Sequence, residues 1–485
     1  MHAYSAEGKH TMDATSVTAA AAAADEIERQ TVRRCAWRLT PVLMLAYFCS
    51  YLDRSNISMA ALTMNQQLGF SASMFGFGAG LFSVGYIVAE IPSTLILNAV
   101  GARRWIARIM LTWGLVSGLT AFIWNDWSFY GARFFLGLAE GGFYPGVVLY
   151  LTWWFPSRYR ARMMALFQSA SVISLFIGLP IGGLLTQLDG RLGLHGWQWL
   201  LLVEAAPSVI MSVVILRFLT DRPAQATWLQ PEQREWLSER LATERAAREA
   251  VRKFSLREAF TSGKIWMLTI AYLGQNVSQY GLILFMPMIV QGLGVSSSMV
   301  GIVSAIPFLF AFVAMLLWGW HSDAKGERRW HCAIACLLCA AGMAVCIVVG
   351  PNHPVIITAA LILAEMGQQS IALTFWAIPS SILTGTAAAG GIAMIQSVGQ
   401  LGAWLGPWAF GLIKQDTDSN NVALLCLAAA PALSAVLVVL VGHTEGRPGP
   451  HSKPNEIAAD QKTNLMRRLF SFMDSSSGGA KFGRR

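Results

Sequence analysis

The chain has 485 residues, of which 54% are hydrophobic and only 13% charged, with a mean hydropathy of +0.48. Soluble domains carry about 25% charged residues, so this composition excludes a water-soluble globular protein and points to a polytopic membrane protein. The formal net charge of +9 does not imply a nucleic-acid partner, because basic residues of membrane proteins gather in cytoplasmic loops.

In chain order, residues 1–34 are polar and Ala-rich and lack the basic n-region and cleavage site of a signal peptide. They are expected as a flexible cytoplasmic tail. Twelve apolar segments of bilayer-spanning length follow, in 37–62, 74–98, 104–123, 128–150, 161–187, 197–219, 264–290, 298–320, 330–349, 354–377, 387–413 and 420–442. The expected fold class is therefore an all-α membrane protein with twelve transmembrane helices, arranged as a six-helix half over 35–219 and a second over 263–442. Between them, 220–262 is a polar linker in which Pro231-Glu232 opens a charged helix running through Arg248. This linker is expected along the cytoplasmic surface, solvated rather than bound to a partner. Residues 443–485 form a polar cytoplasmic tail, whose stretch 465–472 reads as a contact with lipid headgroups.

An even number of spans puts both termini on one side. The short loops on that side hold Arg103, Arg104, Arg158, Arg160, Arg162, Lys325, Arg328 and Arg329, and those on the other only Arg191 and Lys414. The positive-inside rule makes the first side, and both termini, cytoplasmic. Most of the seven cysteines lie in apolar helices. Cys332, Cys336 and Cys339 share a helix face and read as packing residues rather than metal ligands. No nucleophile–base pair, metal cluster or phosphate loop stands out, so neither an enzyme nor a cofactor is expected.

The two halves repeat one pattern. Gly101-Ala-Arg103-Arg104 recurs as Gly326-Glu-Arg328-Arg329, and Ala139-Glu140 as Ala364-Glu365, both 225 residues on; Gln168-Ser169 recurs as Gln396-Ser397, 228 on. Parallel repeats of this kind place a substrate site near the midplane between the halves. Gly319-Trp-His-Ser-Asp323-Ala-Lys-Gly326-Glu-Arg328-Arg329 resembles the loop motif G-x-x-x-D-x-x-G-x-R-R of the major facilitator superfamily. The copy at Thr94 to Arg104 departs from it, with Asn98 where Asp is expected. A closer resemblance is to the anion:cation symporter family, and within it to bacterial tartrate-type transporters. It is carried by Asp53-Arg54-Ser-Asn56, Gly85-Tyr86-Ile-Val-Ala-Glu90-Ile-Pro92, Arg133-Phe-Phe-Leu-Gly137-Leu-Ala-Glu140-Gly-Gly-Phe-Tyr-Pro145 and Leu229-Gln-Pro231-Glu-Gln-Arg234-Glu-Trp236. The resemblance implies alternating access and gating contacts at Asn98, Gly101, Arg103, Arg104, Asp323, Gly326, Arg328 and Arg329.

Ionised side chains are costly inside a bilayer and mark ion or substrate pathways. Arg54 and Arg133 fall near the membrane middle on spans one and four, which line the central cavity in the resembled superfamily. A guanidinium keeps its charge and matches a carboxylate with two parallel hydrogen bonds. Both are candidate substrate ligands, with Tyr86, Gln168, Tyr280, Gln396 and Gln400 as candidates for substrate hydroxyls, although each of these also fits an interhelical hydrogen bond. Arg133 as a mere counter-ion of Glu140 is disfavoured, since seven residues of helix rise about 10.5 Å. Asp53, Glu140 and Glu365 are candidate proton carriers. For Asp53 the competing reading is a helix-packing hydrogen bond. Glu365 has Thr358 where Arg133 stands in the first half, so it is expected to be neutral, as a donor to substrate or water or simply bonded to a helix neighbour. The expected activity is import of a small hydroxylated mono- or dicarboxylate with protons across a bacterial inner membrane, by a monomer. An exchanger or exporter of the same fold and a non-transporting sensor are the rivals.

Overall fold

The structure, a computed structural model, describes residues 14–249, 261–382 and 386–441. Among these residues it is all-helical. The helices are α1 (Ala14–Leu68), α2 (Ala72–Val100), α3 (Ala102–Leu119), α4 (Asp126–Glu140), α5 (Phe143–Trp154), α6 (Ser157–Leu185), α7 (Gly196–Phe218) and α8 (Pro231–Glu249) in the first part of the chain. The second part holds α9 (Gly263–Gln291), α10 (Ser297–Lys325), α11 (Arg329–Val349), α12 (Pro354–Phe375), α13 (Ala377–Ile382), α14 (Thr386–Gly399), α15 (Gly402–Thr417) and α16 (Asn420–Leu440). Ten stretches among the described residues are long and apolar enough to cross a membrane. Gly263–Gln291 and the broken pair α14–α15 pack among them, at the positions of the seventh and eleventh spans expected from the sequence.

Two expectations need correction. Residues 14–34 open α1 and are helical rather than an irregular tail. The reason is visible in the spacing: Thr31, Cys35, Leu39, Leu43, Ala46 and Ser50 recur every three or four residues and all are at most 4% exposed, so the buried stripe of the first span continues below it. The linker helix α8 is not simply solvated. Arg34 donates to Gln233 at 3.1 Å, Arg160 pairs with Glu244 at 3.6 Å, and Glu244 also accepts from the Ser157 backbone N–H, so α8 is tied to α1 and to the start of α6. The tail stretch 465–472 lies outside the described residues.

Each half has the same internal packing. In the first, α3 lies against α4 and α7, α2 against α4, and α1 against α6 and α7; in the second, α11 lies against α12 and α16, α10 against α12, and α9 against α16. The halves meet through α2 with α15, α6 with α10, and α1 with α9. Those contacts are close at one end of the molecule. A Cβ placed on Gly76 would fall 2.1 Å from the Pro407 carbonyl oxygen, and one on Gly301 2.4 Å from that of Leu179, so only glycine admits the neighbouring backbone there. Toward its other end α2 is uncovered: Ile91 and Leu95 are 65% and 68% exposed. The cysteines of α11 are free and buried in the packing of the second half.

Candidate functional site: an ion pair at the junction of the halves

Spans four and eleven are interrupted, at Gly141–Gly142 and at Gln400–Leu401. Gly142 adopts φ 91°, a left-handed turn that ends α4 and leaves Glu140 as its last residue. Glu140 is fully buried, and its Oε1 accepts hydrogen bonds from Ser50 Oγ at 2.5 Å, Arg54 Nε at 2.9 Å and Arg54 Nη2 at 2.6 Å. Ser50 and Arg54 are one turn apart on α1, so a single helix face presents both donors. Glu140 Oε2 has no hydrogen-bond partner. The arginine that pairs with Glu140 is thus Arg54, 86 residues away in the chain, and Arg133 does not neutralise it.

Arg54 sits in an aromatic enclosure. Its guanidinium carbon lies 5.4, 5.0 and 5.1 Å from the ring centroids of Tyr51, Phe82 and Tyr86, distances at which a cation is attracted by the ring face. Its Nη1 donates to Tyr280 Oη at 3.4 Å, which joins α1 to α9 and hence one half to the other. Around it, Gln168 Nε2 donates to Tyr144 Oη at 2.8 Å, and the Tyr47 ring lies 5.8 Å from that of Tyr144. Arg54, Tyr86 and Tyr280 therefore converge on one point, and Gln168 is bonded to Tyr144. A carboxylate arriving there would compete with Glu140 for the Arg54 fork.

Arg133 is elsewhere. It is 3% exposed, donates from Nη2 to the Ala79 carbonyl at 3.4 Å, lies 5.3 Å from the Phe82 ring centroid, and leaves Nε without a partner. It shares the Phe82 ring with Arg54, from the α2 side. Asp53 also faces away from Arg54, as adjacent helix positions must. Its Oδ2 accepts from Trp113 Nε1 at 2.6 Å and Ser208 Oγ at 2.7 Å, and its Oδ1 from Ser117 Oγ at 2.7 Å, fastening α1 to α3 and α7.

In the second half, Glu365 is fully buried; its Oε2 accepts from Gln369 Nε2 at 3.3 Å and its Oε1 has no partner. Gln396 lies one turn before the break of span eleven and Gln400 in it, with an unpartnered Oε1. Glu365 is not tied to Arg54 or Tyr280 by any hydrogen bond among the described residues.

The two loop motifs differ. In the second, Asp323 and Arg328 form an ion pair, Arg328 Nη1 donates to Ser322 Oγ at 3.2 Å, and Gly326 ends α10 at φ 66°. Beside them His321 Nδ1 meets His331 Nε2 at 2.8 Å and His331 Nδ1 meets Glu327 Oε2 at 2.8 Å. Partial burial pushes the Glu327 carboxyl up, but hydrogen bonds from the Trp330 N–H and from the His331 ring and N–H outweigh it and hold the carboxyl below its usual value. In the first motif Asn98 is exposed and its acid comes from elsewhere: Asp221, just after α7, accepts the Arg103 backbone N–H at 2.8 Å, while Arg103 Nε donates to the Leu216 carbonyl at 2.6 Å. Gly101, at φ 100°, makes room, since a Cβ there would lie 2.8 Å from the Asp221 carboxylate. Ser50, Asp221 and the buried Glu204 of α7 escape a sequence reading; only the rarity of acids in apolar runs singles out Glu204.

The chain matches the model of the Major Facilitator Superfamily over residues 43–407 and again over 268–472. It is 45% identical, over 87% of its length and 93% of the relative's, to a protein of Agrobacterium vitis named "Putative tartrate transporter". It is 40% identical to a Pseudomonas putida protein named "Putative metabolite transport protein NicT", over 83% and 92% of the two chains, and 35% identical to a "Quinolone resistance transporter" of Acinetobacter baumannii, over 86% and 96%. Among solved structures it is similar to a D-xylose-proton symporter with a TM-score of 0.66 at 15% identity, covering 83% of this chain and 97% of that one. With its mirrored halves and matching spans, the chain belongs to the Major Facilitator Superfamily of membrane transporters.

Proposed function

We propose that this chain imports a small organic anion, a hydroxylated mono- or dicarboxylate of the tartrate type, together with protons across a bacterial inner membrane. The observation that carries this reading is the Arg54–Glu140 pair with its spare oxygen, Glu140 Oε2, at the junction of the halves. A substrate carboxylate that takes the Arg54 fork strips Glu140 of its counter-ion. A buried carboxylate without a partner is strongly disfavoured as an anion, so Glu140 takes up a proton as substrate binds, and anion and proton cross together. Tyr86, Tyr280 and Gln168 offer hydrogen bonds to substrate hydroxyls, with Gln396 and Gln400 across the gap. Arg133 adds positive potential behind Phe82. Asp53 and Glu365 serve as further proton sites, and the loops at Asn98–Arg104 and Asp323–Arg329 as gates. The relatives named for tartrate support the substrate class.

With the basic loops and both termini cytoplasmic, the end closed by Gly76, Pro407 and Gly301 faces outward. The protein works as a monomer in the lipid bilayer. Reconstituted in liposomes, it should accumulate labelled tartrate when a pH gradient, acidic outside, is imposed, and a protonophore should stop the accumulation. An exchanger or exporter of the same fold is the second reading, raised by the relative named for quinolone resistance. It predicts uptake only into liposomes preloaded with an anion, with no effect of the protonophore, and that result would displace symport.

A further inference from the structure

A second buried acid lies behind α1, on the side away from Arg54. Glu204, in α7, is 3% exposed, and neither of its carboxyl oxygens has a hydrogen-bond partner. No cation pairs with it among the described residues. Ser208, one turn further along α7, donates to Asp53 Oδ2, so Glu204 and Asp53 occupy neighbouring levels of the same α1–α7 contact. The Asn56 amide, one turn from Asp53 on α1, lies beside the Glu204 carboxyl short of a formed hydrogen bond, with its own Nδ2 unpartnered and Asn56 4% exposed.

The other elements packed on this part of α7 contribute no ionisable group. The facing part of α3 presents Trp113 and Ser117, both already donating to Asp53. Residues 163–185 of α6 and the short turns Thr120–Phe122 and Thr186–Leu188 contain no ionisable side chain. Arg54 and Glu140 lie round the helix and are engaged with each other, and Arg133 and the Cys49 thiol lie within electrostatic reach of Asp53.

Two carboxyls in one dry contact cannot both be ionised cheaply. Three donors suit Asp53 to the charged form. Glu204 has none, so it carries the proton. We propose that Glu204 is a second proton-holding residue of the transporter, sharing one proton with Asp53 across the α1–α7 contact and releasing it in the transport cycle. Because Asp53 and Arg54 are adjacent on α1, a movement of α1 that follows substrate binding at Arg54 would also disturb the Asp53 donors and with them the division of this proton. The inference rests on the proton-coupled reading above and adds a site to it.

The test uses the full-length protein in liposomes. Infrared difference spectra, recorded against pH without substrate in a Glu365→Gln background that removes the other unpaired buried acid, should show a protonated-carboxyl C=O band that is lost on alkalinisation. Glu204→Gln should lack this band and Glu204→Asp should keep one. In pH-gradient-driven tartrate uptake, Glu204→Gln should shift the pH of half-maximal rate by on the order of one unit, while Glu204→Asp restores a titrating profile. A full-strength band in Glu204→Gln would overturn the proposal. So would loss of the band with an unchanged uptake profile, which is the signature of a structural acid. Wild-type protein that ignores the pH gradient would sink the symport reading instead, and the Glu204 band distinguishes the two failures.

Discussion

The two halves share a skeleton and differ in chemistry. In the first, Asp53 receives hydrogen bonds from Trp113 and Ser117 of α3. In the second, Ser278 of α9 meets Cys339 at 3.7 Å and Met343 at 3.9 Å on α11. Ser278 lies 225 residues after Asp53, and Cys339 and Met343 each 226 after Trp113 and Ser117. The same helix junction is thus built twice, once around a carboxylate and once around a hydroxyl and two sulfurs. At the centre, Tyr280 stands one residue past the position equivalent to Arg54, and Glu365 lies 225 residues after Glu140. The first half pairs its acid with a cation, and the second offers a phenol and an acid held only by Gln369. Duplicated helices keep their packing positions because packing fixes the fold. The charges are free to diverge, and here the first half holds Arg54 and Arg133 while the second has Tyr280 and Glu365.

This asymmetry can be broken by exchanging the node residues. Ser278→Asp would bury a carboxylate against two sulfurs with neither a cation nor a strong donor, and should cost several kcal/mol. A marked fall in the thermal unfolding temperature above neutral pH would show it, and wild-type stability would mean the junctions are equivalent. The reverse exchange, Asp53→Ser, strands the Trp113 N–H, whereas the two serine hydroxyls can turn to other acceptors. A loss of about 1–3 kcal/mol is expected, visible in the same melt, with Asp53→Asn intermediate.

Sharpening the comparison at the centre needs binding data. Arg54→Lys keeps the charge but loses the planar fork and part of its stacking on Tyr51 and Tyr86. Tartrate affinity should fall at least tenfold, about 1.4 kcal/mol, measured by calorimetry on purified protein; unchanged affinity would remove Arg54 from the substrate site. The smallest effect is expected from Glu365→Gln. If Glu365 is neutral, the amide is nearly isosteric, and stability should change by less than about 1 kcal/mol while the pH profile of uptake alters. A profile identical to wild type would reduce Glu365 to a hydrogen bond with its helix neighbour Gln369.

Most of the architecture was legible because hydropathy in a bilayer is nearly a direct readout of the fold. The spans fall within a few residues of their expected places, and the duplication shows in the offsets of Glu140 and Glu365. Asp53, Arg54, Arg133, Glu140 and Glu365 also stood out in apolar runs, whereas Glu204 did not. What could not be read is which of them meet. Arg54 pairs with Glu140 because the break between α4 and α5 lies beside α1, and nothing local in either segment encodes that meeting. Asp53, adjacent to Arg54 in sequence, is turned toward Trp113 by the helical angle between neighbours. Asp221 replaces the missing acid at Asn98 from across the half, 118 residues from Arg103. The start of α1 was missed because its buried stripe depends on α6 and α8 lying against it.

The central claim is that Glu140 alternates between Arg54 and a proton. Glu140→Gln fixes the neutral form, which is the form that crosses with substrate. Its most direct test is to measure, on one preparation of this variant in liposomes, both tartrate counterflow and uptake driven by a pH gradient. Counterflow needs no net proton movement and should persist, while gradient-driven accumulation should vanish because the amide has no proton to release. Retained accumulation in Glu140→Gln would contradict the account and move the coupling proton to another acid.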